Sequence, residues 1–97
     1  MSDPAFRAEV KQTVELYENT IGHAAARTRR MIEQHGEIEA LSRLMVSADL
    51  QQGFKVLRNT NQLDKSFEAL VIRFRHLFKP DAVQAAEWRL ANPYELF

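Results

Sequence analysis

The sequence predicts an all-α protein, a compact bundle of five or six short helices. Three observations carry that reading. Apolar residues recur every three or four positions along most of the chain, the spacing that lines one face of a helix. No stretch alternates apolar and polar residues with the β-branched enrichment of a strand. Three glycines and three prolines, few for 97 residues, fall where the periodicity breaks and so read as punctuation.

The first helix opens at Asp3-Pro4, a capping aspartate before a proline at the first helical position. Phe6, Val10, Val14, Tyr17 and Ile21 form its inner stripe, with Lys11 and Glu15 outside and Gly22 as the stop. A second helix runs from about His23 to His35 and ends at Gly36; its apolar side is small, with Ala24, Ala25, Thr28, Met31 and Ile32. A third, from about Glu37 to Val46, turns Ile38, Leu41, Leu44 and Met45 inward. Ser47 is the expected cap of a fourth, which buries Leu50, Phe54 and Leu57; Gly53 within it points to close packing. Asn59 to Gln62 reads as a loop.

The fifth helix is expected over Leu63–Phe78, capped by Asp64. Phe67, Leu70, Val71, Phe74, Leu77 and Phe78 fall within an arc of about 120°, the width of a core-facing stripe. Arg73 and Arg75 land on opposite flanks of that stripe, Arg75 on the side of Glu68 and Lys79, so they do not form one row. Ile72 is placed on the face opposite the core. A sixth helix begins at Pro80 and runs to about Ala91, using Val83, Ala86, Trp88 and Leu90, before Asn92-Pro93 stops it. The tail Tyr94-Glu95-Leu96-Phe97 is aromatic and apolar, suited to docking on the domain or on a partner.

Composition sets the bounds. Residues 1–97 are expected to form a single helical domain, large enough to bury roughly two-thirds of its unfolded surface without a metal or disulfide. Thirteen basic residues balance thirteen acidic ones, which argues against binding nucleic acid over the whole surface. Cysteine is absent, so thiolate chemistry and Cys-based metal sites are excluded. No apolar run approaches the roughly 20 residues of a membrane span. The segment MSDPAFRAEV lacks the basic and apolar regions of a secretion signal, so a cytoplasmic protein without membrane contact is expected.

Catalytic patterns find no support. His23, His35 and His76 lie in different helices or at their ends, none at ligand spacing from another, and no metal or cofactor is expected. The serines lack a nucleophile elbow, and the glycines stand alone rather than in a phosphate loop. Glu33, Glu37 and Glu39 cluster near a helix junction, where charged residues usually form a solvated surface.

Basic residues offer two patches. Arg27 and Arg30 share an edge of the second helix, with Arg29 rotated away towards Glu33 one turn on. From Lys55 to Lys79 six basic residues face two acidic ones, and Lys55, Arg58 and Lys65 would surround the turn of a helix–turn–helix. A recognition helix needs several polar side chains near its start; here Lys65 and Ser66 qualify and Phe67 does not.

Gly53-Phe54, Leu57, Leu63-Asp64, Glu68-Ala69-Leu70-Val71, Leu77-Phe78, Ala86 and Arg89-Leu90 together resemble a pattern of small bacterial all-helical proteins of unassigned function. Met31, Gly36, Ala40 and Leu44 fit the same pattern upstream. The resemblance implies a helical fold and brings no catalytic signature. This chain departs from it at Lys79-Pro80, where a Thr or Ser is usual, which leaves the cap of the last helix open.

The expected function is therefore non-catalytic: a protein–protein adaptor or accessory subunit, meeting a protein partner or another copy of itself through Ile72, Tyr94, Leu96 and Phe97. The alternative is a DNA-binding accessory or regulatory protein with a helix–turn–helix-like segment around 50–78, using Arg27, Arg30, Lys55, Arg58 and Lys65.

Overall fold

A computed structural model describes residues 3–46 and 52–94. Among them lie five α-helices and no strand: α1 (Pro4–Ile21), α2 (Ala26–Val46), α3 (Gln52–Asn59), α4 (Phe67–Arg73) and α5 (Pro80–Ala91). The all-α bundle expected from the periodicity is the fold observed.

Helix α1 begins as its first residues dictate. Asp3 leaves its own backbone extended and its Oδ1 accepts from the Ala5 and Phe6 amides at 2.9 and 3.2 Å, while Pro4 occupies a position that needs no N–H. At the other end Gly22 adopts φ +81° and its N–H reaches the Glu18 carbonyl at 2.8 Å. Phe6, Val10 and Val14 are buried, joined by Thr13, which the apolar pattern does not reveal.

Helix α2 starts at Ala26, three residues later than expected, because Glu18 reaches across from α1. Its carboxylate accepts the Ala25 amide at 2.8 Å and so caps α2 from outside. Gly36 breaks α2 into two arms with φ +80° and ψ 166°, a conformation essentially confined to glycine. The expected boundary is thus a kink between helical arms. Ala40, Leu41, Leu44 and Met45 of the second arm are buried, but Ile38, expected inside, is 36% exposed.

Helix α3 buries Phe54 and Leu57; Ser47 and Leu50, the expected cap and inner residue before it, lie outside the described residues. The chain then turns through Asn61 at φ +60°. Leu63–Lys65 forms a single 3₁₀ turn, and Ser66, not Asp64, caps α4. Its Oγ accepts from the Ala69 amide at 3.2 Å and donates to the Leu63 carbonyl at 2.7 Å. The expected long helix is therefore divided. It breaks again at Phe74 (φ −110°, ψ 35°) before a second 3₁₀ turn, Arg75–Leu77. With that break Phe74 and Phe78 both meet Phe6 edge-on, centroids 5.2 and 5.7 Å away.

Helix α5 spans the residues expected of it. Pro80 sits in its first turn and no side chain caps it at Lys79, which settles the point left open by the departure from Thr or Ser. Ala82, Val83 and Ala86 are buried, while Trp88, expected inside, is 50% exposed. The core gathers the buried faces of α1, the second arm of α2, α4 and α5. Leu70 and Val71 of α4 have no exposed surface and lie at its centre. Helix α3 packs on α1 and on the Leu63–Lys65 turn. No helix among the described residues is long and apolar enough to cross a membrane.

Candidate functional site

The basic residues differ in how freely they are presented. Arg27 and Arg30 are exposed on the first arm of α2, and Lys65 is exposed on the 3₁₀ turn. Lys55 is half-buried on α3. Arg58 is engaged: its Nε donates to Asn59 Oδ1 at 3.0 Å, its Nη1 to the Pro93 carbonyl at 3.0 Å, and its guanidinium lies 5.2 Å from the Tyr94 ring centroid. The fold thus joins a residue assigned to nucleic acid with one assigned to a partner. Arg58 fastens the segment after α5, and Tyr94 remains 77% exposed above it. Leu96 and Phe97 lie outside the described residues.

A recognition helix must offer an exposed face to a groove. Helix α4 has none before Arg73: Glu68, Leu70 and Val71 are buried, and Phe67, Ala69 and Ile72 are half-buried. Ile72, expected outside, packs against the core instead. The turns flanking α4 tuck it beneath α1, α2 and α5, so that nearly every face finds a neighbour. Arg73 and Arg75 do leave on separate flanks, the first to Glu9 of α1 and the second to Glu87 of α5 at 3.6 Å.

Two charged clusters escape helical-wheel reasoning, since their members are far apart in sequence. Arg29 turns to Glu18 rather than Glu33, with two hydrogen bonds of 2.6 Å. Those bonds, with the Ala25 amide, hold the Glu18 carboxyl down to about 2. The second cluster is Glu68 of α4 and Arg89 of α5, 3% and 4% exposed, with Arg89 Nη1 donating to Glu68 Oε2 at 2.8 Å. Burial pushes the Glu68 carboxyl above its ordinary range, and the guanidinium opposes that rise. The two side chains are thus paired inside the core. Their order, one helix apart, was the only signal available in the sequence.

Among the described residues no cluster of three His, Asp or Glu side chains comes together to hold a metal. Glu33, Glu37 and Glu39 are dispersed: Glu37 faces Arg7 at 3.4 Å and Glu39 faces Arg43 at 3.0 Å, while Glu33 is exposed.

Three concavities deserve comparison. A groove of about 530 Å³ between α1 and α2 has Val10 and Val14 in its floor, but these are already buried, and the Arg7–Glu37 pair sits on its rim. A smaller one of about 230 Å³, at Tyr17, Phe54 and Phe67, is lined in part by Glu68, whose carboxylate is paired with Arg89. The third, of about 310 Å³, runs between the second arm of α2 and the start of α5. It differs in one respect: Ile38 and Val46, 36% and 61% exposed, both line it, with Leu77 opposite. Ile38, Ser42 and Val46 succeed one another at four-residue spacing and form one edge of α2. Ser42 donates its hydroxyl to the Ile38 carbonyl at 2.8 Å, so it presents no unsatisfied polar group. Glu39, Arg43, Lys79 and Asp81 complete the lining. Two exposed aliphatic side chains thus share a charge-balanced cleft.

Compared with known protein families, curated proteins and solved structures, the chain matches none of them.

Proposed function

We propose that the protein is a non-catalytic interaction protein that binds a protein surface through the cleft between α2 and α5. The observation that supports this is the pair Ile38 and Val46: large aliphatic side chains left in water on one edge of α2, facing Leu77. Covering them with an apolar surface gains roughly 25 cal/mol for each Å² removed from water. The rim of Glu39, Arg43, Lys79 and Asp81 can fix orientation without attracting a polyanion, because its charges cancel.

A photo-crosslinking side chain at position 42, in the middle of the edge, tests the reading in the cells that make the protein. A discrete crosslinked protein product is expected, and Val46→Asp is expected to abolish it while leaving the helical circular dichroism unchanged. Absence of any crosslinked protein, whether another copy or a different chain, would overturn the proposal.

A further inference from the structure

We infer that the first arm of α2 is a latched lid: the chain between Gly22 and Gly36 opens from α1 as one piece, while the second arm and the rest of the bundle stay folded. Glu18 of α1 is the latch. The lid is independent of the α2–α5 cleft.

Burial divides the two arms. The second arm buries Ala40, Leu41, Leu44 and Met45. Of residues 23–35 only Ala25, near the start, is buried, and Met31 and Ile32 join the core in part. A segment with so little buried apolar surface opens at a smaller cost than the element it continues. Space lies on both sides of it. Arg29 and Ile32 line the groove of about 530 Å³ from one side, and Val10 and Val14 of α1 from the other. The cavity of about 230 Å³ is lined by residues 25–28 together with Tyr17.

Both ends of the segment are built to turn. Gly22 and Gly36 stand at φ +81° and +80°, and a Cβ at either would meet nothing within 4 Å. Glycine moves between negative and positive φ at little steric cost, so each can change conformation without displacing a neighbour. The Arg7–Glu37 pair falls beyond Gly36 and fastens the second arm, not the first. The first arm is held by Glu18, whose carboxylate accepts the Ala25 amide at 2.8 Å and two Arg29 N–H groups at 2.6 Å. Once released, a helix of about ten residues is too short to persist alone in water, so the arm unfolds as it opens. Opening uncovers Val10 and Val14, part of the inner stripe of α1.

Amide hydrogen exchange of the whole chain, followed residue by residue by NMR, tests this. In the wild type the Met31–His35 amides are expected to be about a hundredfold or more less protected than those of Leu41–Met45. Glu18→Ala is expected to lower first-arm protection by roughly a further tenfold, because it removes charge-assisted hydrogen bonds. Protection of the second arm is expected to stay unchanged. Arg27→Ala, at an exposed position of the same arm, is expected to change neither.

Equal protection of the two arms in the wild type overturns the lid, and that measurement needs no variant. So does a Glu18→Ala variant that loosens both arms by the same factor, since the first arm then unfolds only with the whole bundle. A first arm that ignores Glu18→Ala, or that Arg27→Ala loosens as much, overturns Glu18 as the latch.

Discussion

Glu68 of α4 and Arg89 of α5 form an ion pair of 2.8 Å in which neither side chain is more than 5% exposed. A charge buried without its partner is far more costly than the pair. Arg89→Met is expected to lower unfolding free energy by about 3–5 kcal/mol, read from urea denaturation. Replacing both residues with methionine is expected to recover most of that loss. The sign with pH follows from burial. Without Arg89, the Glu68 carboxyl rises further above its unfolded value, so stability is lost as pH rises through that raised value and is regained below the ordinary carboxyl range. An Arg89→Met deficit of the same size at acid and neutral pH would show that charge is not its cause.

Glu18 has the opposite sign. Its folded carboxyl is held down to about 2, chiefly by the Arg29 hydrogen bonds and next by the Ala25 amide. Its contribution is present above the unfolded carboxyl range and is lost as pH falls from there towards about 2. Thermal unfolding midpoints across that interval are expected to fall less steeply in Glu18→Gln than in the wild type. Identical slopes would count against the clamp between α1 and α2.

Two glycines make a contrasting pair. A Cβ at Gly53 would meet the Tyr17 ring at 3.8 Å, ordinary van der Waals contact on a helical backbone. Gly53→Ala is therefore expected to stabilise the protein by about 0.4–1 kcal/mol. At Gly36 there is open space, but φ is +80° with ψ 166°. Gly36→Ala is expected to cost about 1–3 kcal/mol through backbone strain. Denaturant midpoints measure both, and equal signs would refute the distinction.

The entry to α4 gives a further discriminating pair. Ser66 is 1% exposed and its Oγ holds the Ala69 amide, so Ser66→Ala is expected to cost about 1 kcal/mol or more. Asp64 is exposed in the preceding turn, and Asp64→Ala is expected to change stability by less than about 0.5 kcal/mol. The reverse order in urea denaturation would restore Asp64 as the cap.

Local chemistry was legible in the sequence because it depends on neighbours within a turn or two. Asp3-Pro4 starts α1 and Gly22 ends it; Phe6, Val10, Val14, Leu41, Leu44, Leu70 and Val71 turn inward at helical spacing; Arg73 and Arg75 part to opposite flanks. Those interactions need no knowledge of which helices meet.

Tertiary structure decided the rest. A helical wheel treats every position opposite the core stripe as wet, yet α4 is enclosed on nearly all sides, so Ile72 packs inward and Glu68 needs Arg89. Conversely, Ile38 and Trp88 satisfy an apolar pattern on helices that lack a neighbour there, and remain in water. The sequence alone determined that the chain is helical and placed most of the core, because periodicity is local; where helices kink or divide depended on packing. Only packing left Ile38 and Val46, rather than Ile72, as exposed aliphatic side chains, because exposure depends on what the remainder of the chain covers.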